Sequence, residues 1–412
     1  MNTKQIDQIF ADTAYIRMGG REEELKCAKY LKNECAKMGA EAHLESFEVE
    51  LADILDAALY VDGKEITCKG YFGAGNAEVE AELFYLSSKD AWSLKQCKGK
   101  IVMIDGYMGY WVYQDILENG AVGFITYDGN ANYADSDIDQ RELRPHVHNG
   151  KKIPGVNINA KDAIEIIRSD AKTAQIVLKQ NEYKGNSHNV VLDLPGEIDE
   201  IIVLTAHYDT TSLSTGAYDN MSGSIGLLGI AEHFIKNPHR YGLRFIWCGS
   251  EERGLLGSKA YCRDHEEELK KVALNINLDM IGCIMGRFIA CATAEEKLIH
   301  YIDYMACELG FGIKTRCGVY SSDSTPFADK GVPAVSFARI APNNTATIHN
   351  SYDTLKVMKA GQMVKDIDFL ITFTDHMANA KLCPVDRKIP DKMKEKLDVY
   401  LCRKRDDSPE KF

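Results

Sequence analysis

IIVLTAHYDTTSLSTGAYDNMSGSIGLLGIAEHF, residues 201–234, passes from an apolar strand through a polar turn into a helix. IIVLTA is a continuous apolar run of strand length, and a helix begins near Met221. The same alternation recurs downstream. LRFIWCGSEE (243–252), ALNINLDM (273–280), RFIACAT (287–293) and PAVSFARI (333–340) read as buried strands, several of them followed by helical stretches. Apolar runs of this length alternating with helices predict an α/β fold: a mixed, mostly parallel central sheet with helices on both faces.

Upstream, Glu22 to Met38 places Leu25, Ala28, Leu31, Cys35 and Met38 at helical spacing, and Gly39 stops the helix. Residues 50–180 differ in pattern. Short strands such as AELFYL and KIVMIDG precede a helix-like segment leading to AVGFITYDG, which suggests a compact β-rich insertion. Its middle, residues 128–150, is polar and irregular and reads as an exposed loop. The expected division is therefore a catalytic domain from 1–49 and 181–385, an inserted domain at 50–180, and a charged C-terminal tail at 386–412.

A chain of 412 residues with 45% apolar content can fill two cores. Lysine and arginine number 49 against 61 aspartates and glutamates, a formal net charge of −12. That balance argues against nucleic acid and anionic membrane surfaces as partners. There is no cationic start followed by an apolar stretch, and no window of about 18 uninterrupted apolar residues. The twelve cysteines are scattered singly, with no CxxC pair, which favours a reducing interior and a cytoplasmic location. The oligomeric state is open, a homodimer included.

In an open α/β sheet, ligands bind outside the carboxyl ends of the strands, and here strand after strand ends in a metal-type side chain. IIVLTA ends in His207-Tyr208-Asp209, LRFIWCGS in Glu251-Glu252 and ALNINL in Asp279; PAVSFARI is followed by a loop carrying His349. Asp219 lies on a tight turn flanked by Gly216, Gly223 and Gly226, whose small size lets the backbone approach whatever Asp219 holds. Two cations about 3.5 to 4 Å apart need a bridging carboxylate, plus one imidazole and one further carboxylate apiece. His207, Asp279 and a shared Asp219 supply one set; His349, Glu252 and the same Asp219 supply the other. Glu251 is left over beside a ligand, where a general base belongs. Asp209, two residues after His207 on an extended strand, can accept the free ring N–H of that histidine.

Taken singly, these residues are ordinary: adjacent glutamates are most often solvated, and an Asp before Asn is usually a turn former. Asp279 is the exception, because a carboxylate ending a buried apolar run needs a partner. His146 and His148 form an HxH pair on a loop, a weak metal signal, and the remaining histidines take structural readings. The chain contains no GxSxG elbow, no HExxH helix and no GxxxxGK[ST] phosphate loop.

The segments LTAHYDT, GAYDNMSGSIGLL, GSEERGLLGS, INLDMIG and IHNSYDT resemble those of the co-catalytic zinc aminopeptidases, the family that also contains glutamate carboxypeptidase II and the catalytically dead transferrin receptor. The likeness spans the N-terminal helix and roughly residues 185–380. It implies two Zn2+ ions held by His207, Asp219, Glu252, Asp279 and His349, with Glu251 as base and Asp209 behind His207. On the same resemblance Tyr320 is an oxyanion donor. CKGKIVMIDG and ILENGAVGFITYDG resemble the protease-associated domain that several members insert ahead of the metal site, where it restricts the substrate cleft. One position departs from the pattern: members commonly carry a histidine after the Ser-Asp of SSDSTPFADKG, and this chain has Ser324, which leaves the role of Asp323 open.

The expected activity is hydrolysis of an N-terminal peptide bond by a zinc-bridging hydroxide deprotonated by Glu251. One alternative is a dipeptidase or carboxypeptidase on the same metals, which would need a guanidinium cluster to read a C-terminal carboxylate. Arg244, Arg253, Arg287, Arg316 and Arg339 are the nearby arginines. The other is a binding protein with a dead site, against which the full set of ligands and base argues.

Overall fold

The computed structural model describes residues 1–130, 138–343 and 345–406. The chain divides into two compact units, one of residues 1–47 and 186–412, the other of residues 48–185.

In the first unit, helices α1 (Thr3–Asp12) and α2 (Glu22–Lys37) precede β1 (Thr173–Leu194), whose last residues belong to this unit. There follow β2 (Ile198–His207), α3 (Ser222–Lys236), β3 (Tyr241–Cys248), α4 (Leu256–Asp264), β4 (Val272–Leu278) and β5 (Arg287–Thr293). The chain continues through α5 (Glu296–Leu309), β6 (Lys314–Cys317), α6 (Ser324–Asp329), β7 (Ala334–Ile340), α7 (Ala360–Ala378) and α8 (Asp391–Tyr400). The strand order is β6-β5-β7-β4-β2-β3-β1. The central strands β7, β4, β2 and β3 are parallel, whereas β1 and β5 each join antiparallel. The sheet is thus mixed and mostly parallel, as the apolar runs imply.

Strand alternation sends successive side chains to opposite faces. In β2, Ile202, Leu204 and Ala206 join the core that also takes Leu31 of α2, Leu227 of α3 and Leu370 of α7; Val203 joins a second core with Tyr261 of α4 and Phe327 of α6. Helices therefore cover both faces. On α2 the buried face is Glu24, Cys27, Ala28, Leu31 and Cys35, while Leu25 and Met38 are only half-buried. The helix is rotated slightly from the apolar-only expectation because a carboxylate takes an inward position. Near the C-terminus, Ile389, Met393 and Leu397 pack with Ala328 and Ala334, so the segment expected as a charged tail contributes a small core of its own.

The inserted unit has its own core around Phe124, Tyr113 and Val156. Strands Ala77–Tyr85, Ile101–Asp105, Gly123–Asp128 and Gly155–Asn159 run parallel in that order. Residues 131–137 of the expected exposed loop lie outside the described residues. Part of the rest corrects that expectation: Ile138, Asp139, Arg141, Leu143, Val147 and His148 are buried, with Arg141 paired to Asp128 at 2.8 Å, while Pro145, His146, Asn149 and Gly150 are exposed as expected. His148 accepts the Gly150 N–H at Nδ1, a local turn contact.

Candidate metal centre

Four parallel strands bring the predicted residues to one edge. His207 is the last residue of β2 and stands beside Cys248, the last of β3. Glu251 and Glu252 follow β3 after Gly249 and Ser250. Asp279 follows β4, its N–H donating to Phe337 O of β7 at 3.0 Å. His349 lies on the loop after β7, and Asp219 on the turn Ala217–Met221 that leads into α3.

Asp219 divides its two oxygens between two imidazoles: Oδ1 is 3.2 Å from His207 Nε2 and Oδ2 is 3.1 Å from His349 Nε2. His207 Nε2 also faces Asp279 Oδ1 at 3.8 Å and Glu251 Oε2 at 3.9 Å, and His349 Nε2 faces Glu252 Oε2 at 3.0 Å. Two groups result, His207 with Glu251 and Asp279, and Asp219 with Glu252 and His349, each with ligand atoms within 4.8 Å of one another. The fit to cations is good. Imidazole and carboxylate oxygen suit zinc, and the buried Asp279 Oδ1 accepts no hydrogen bond among the described residues.

The electrostatics of these side chains are those of acids sharing too little positive charge. Burial, with the charge of Asp219, pushes Asp279 up to about 7. Burial likewise raises Glu251 far above the carboxylate range, with Glu252 adding to the shift, and raises Glu252. Burial alone would raise Asp219 too, but the hydrogen bonds from His207 and His349 outweigh it and hold this carboxylate low. Burial would depress His349, yet Glu252 and Asp219 lift it to about 11, and the surrounding acids lift His207 likewise. These shifts all express a shortage of positive charge that cations held by the same residues would supply.

Asp209 sits behind His207, 3.4 Å from Nδ1, and has a second task. Its Oδ1 accepts the Glu251 N–H at 2.9 Å and its Oδ2 the Glu252 N–H at 3.1 Å. Tyr320 is almost buried, near the charges of Asp279 and Asp219, and burial pushes its phenol up. Asp323 accepts the Ser258 hydroxyl at 2.5 Å, and burial raises it to about 6. Ser324, in place of the family's usual histidine, is buried and shares a 2.8 Å hydrogen bond with Ser336. Arg244 is taken up by Asp193 and Glu268, and Arg339 by Asp366, so these two do not form a guanidinium cluster.

Sequence reasoning passes over Asn220, Asp353, Arg17 and Glu24. Asn220 accepts the Gly223 and Met280 N–H groups and donates to Leu278 O, tying the turn to the end of β4. Gly223 makes this approach possible, since a Cβ there would meet Leu278 O at 2.3 Å. Asp353 accepts the Tyr218 and Asp219 N–H groups at 2.8 and 3.0 Å. Arg17, fully buried, donates to Tyr208 O and to the carbonyls of Thr215 and Gly216. Asn220 and Asp353 lie inside the segments GAYDNMSG and IHNSYDT, where their burial is the only missing signal.

Residues 189–373 match the model of the family described as Peptidase family M28. Aminopeptidase YwaD of Bacillus subtilis is 27% identical over 340 residues, covering 78% of this chain and 71% of YwaD. Leucine aminopeptidase 1 of Aspergillus clavatus is 24% identical over 241 residues; the match covers 52% of this chain and 62% of that protein, so under two thirds of its length is spanned. Among solved structures, BSAP, a zinc aminopeptidase from Bacillus subtilis, has a TM-score of 0.77 at 24% identity, covering 94% of this chain and 99% of that one. The aminopeptidase from Aneurinibacillus sp. strain AM-1 has a TM-score of 0.75 at 21% identity, covering 93% and 96%. These structural likenesses establish a shared fold.

Proposed function

We propose that the chain, whose residues 189–373 match Peptidase family M28, is a member of that family and a zinc-dependent aminopeptidase that releases the N-terminal residue of peptides. The observation that carries the reading is the division of Asp219 between His207 and His349 at the carboxyl edge of the sheet. His207 and Asp279 would hold one zinc ion, His349 and Glu252 the other, with Asp219 common to both. Bound there, the ions supply Lewis acidity, acidifying water and polarising a carbonyl.

Glu251 does the proton work. It lies 3.9 Å from His207 Nε2, within reach of the same space as Asp279, and would take the proton of the attacking water and hand it to the leaving amine. Asp209 orients both the base and its ligand neighbour through their backbone amides. Tyr320 is the side chain we assign to the developing oxyanion, on the strength of its burial close to Asp279.

The names of YwaD, leucine aminopeptidase 1 and BSAP support the N-terminal reading. The engagement of Arg244 and Arg339 elsewhere counts against a carboxypeptidase. We read the inserted unit as a protease-associated domain. The twelve cysteines are free thiols, which supports a cytoplasmic setting, and no helix among the described residues is long and apolar enough to cross a membrane. The test is a panel of chromogenic aminoacyl substrates with N-blocked controls, before and after chelation. Cleavage of the free-amine substrates alone, lost on chelation and restored by zinc, is expected; cleavage of blocked substrates sinks the aminopeptidase reading.

A further inference from the structure

Four consecutive backbone N–H groups lead from the end of β3 to the metal centre, and each is held by a side chain from elsewhere in the chain. Gly249 donates to Asn189 Oδ1 at 3.2 Å, Ser250 to Glu24 Oε1 at 2.8 Å, Glu251 to Asp209 Oδ1 at 2.9 Å and Glu252 to Asp209 Oδ2 at 3.1 Å. Asn189 lies 60 residues from the amide it holds, and Asp209 lies 42 and 43 residues from its two. Glu24 is 226 residues away from Ser250, on the first turn of α2, and outside the stretch that matches the family model.

Glu24 is fully buried, and its donors are two backbone amides and two hydroxyls. Oε1 takes Ser250 N–H, Ser250 Oγ–H and Ser187 Oγ–H; Oε2 takes Gly20 N–H at 2.7 Å. None of these donors is cationic, and burial raises the carboxyl to about 8. A buried carboxyl without a cation is costly, and an apolar side chain would fill the space more cheaply. What an apolar side chain cannot do is accept the Ser250 N–H. Ser250 itself has φ of 54°, a left-handed conformation unfavourable for a residue with a side chain. The Glu24 carboxyl group holds that residue through its amide at 2.8 Å and lies 3.1 Å from its hydroxyl, which also reaches Ser187 Oγ at 2.8 Å. The loop before α2 presses on the same point, since a Cβ on Gly19 would fall 2.3 Å from Ser250 Oγ.

We infer that Glu24 is a positioning residue of the catalytic machinery: by holding Ser250 in its left-handed turn, it aims Glu251 and Glu252 at the space between His207 and His349. Glu24 touches neither substrate nor cation and acts only through the turn. The inference rests on the proposed function, in which Glu251 is the base and Glu252 a ligand. A residue that only stabilised the fold would affect melting and nothing else. A residue that aims the turn affects turnover and the coordination of the Glu252 half of the site.

Glu24→Gln tests this directly. One amide oxygen cannot replace both carboxylate oxygens, and the amide NH2 must face either Ser250 N–H or Gly20 N–H. The full chain is loaded with cobalt(II), and the visible spectrum, kcat and KM are recorded at a temperature where circular dichroism shows the variant folded. The expected result is a changed cobalt spectrum and a kcat lower by about 10- to 100-fold, the scale of a misplaced catalytic group, with KM within about threefold. A folded Glu24→Gln with the parent's spectrum and a kcat within about twofold overturns the inference. If Glu24→Gln is not recovered folded, Glu24→Asp, which keeps the carboxyl group but falls one methylene short of Ser250, is judged by the same two readings. The two ideas fail separately: a parent chain that takes up no cobalt defeats the proposed function, whereas an active parent matched by its variant defeats only the role of Glu24.

Discussion

The carboxylate of Asp353 accepts the backbone N–H of Asp219 at 3.0 Å and that of Tyr218 at 2.8 Å, so the residue shared by both imidazoles is held from behind by a second acid. Burial raises Asp353 to about 6, and the two amides oppose that shift. Asp353→Asn puts an NH2 group against one of these amides. Leaving a buried donor unsatisfied costs about 1–3 kcal/mol, so the variant is expected to melt several degrees lower and to bind zinc more weakly. Calorimetric unfolding with and without zinc measures both; unchanged zinc affinity removes Asp353 from the support of Asp219.

Asp219→Asn and Glu251→Gln separate binding from chemistry. The first removes the charge common to both half-sites and is expected to lose zinc and activity together. The second leaves the ligands in place and removes the base, so zinc stoichiometry is retained while kcat falls by about 10²–10⁴. Metal content by atomic absorption, beside steady-state kinetics, distinguishes them. A fully active Glu251→Gln would refute the assignment of the base.

Stability of the cation-free protein follows from the same groups. His349 is raised from 6.5 to about 11, so its contribution is fully present below 6.5 and is lost as pH rises through 11. Asp279, raised from 3.8 to about 7, works in the same direction, because the folded state holds its proton more tightly and loses stability as pH climbs from 3.8 to 7. Zinc displaces these protons, so its apparent affinity rises with pH. Chelated protein is therefore expected to melt lower at about pH 9 than at about pH 6, and the gain on adding zinc to be larger at the higher pH. Melting curves at the two pH values decide it, and a zinc gain that shrinks with pH contradicts it.

Gly223→Ala tests the close approach of α3 to β4. The added methyl would meet Leu278 O at 2.3 Å and Asn220 Oδ1 at 2.5 Å, both fixed groups. Overpacking of this kind costs about 1–3 kcal/mol, and because Asn220 neighbours Asp219 the loss should extend to zinc binding. Denaturant unfolding gives the first quantity and zinc titration the second.

The catalytic sheet is legible in the sequence because buried parallel strands are written as uninterrupted apolar runs, IIVLTA and ALNINL among them. The convergence at its edge is legible for a related reason. His207 and Asp279 close such runs, where a polar side chain has no other task. Glu24 is illegible because it follows Glu22 and Glu23, and three acids at a helix start look like a solvated first turn. Its inward aim comes from Ser187, Ser250 and Gly20, residues no local pattern connects with it. Part of the stretch at 138–150 misleads for a similar reason, since Arg141 is polar by composition yet buried and paired with Asp128. Asp353 stands within a recognisable segment, but only the fold reveals that it faces the amides of Tyr218 and Asp219 rather than solvent.

Asp209 grips adjacent peptide units with its two oxygens, one belonging to Glu251 and the other to Glu252. If Glu251 carries the proton and Glu252 coordinates, as proposed, one carboxylate thus anchors the backbone of both.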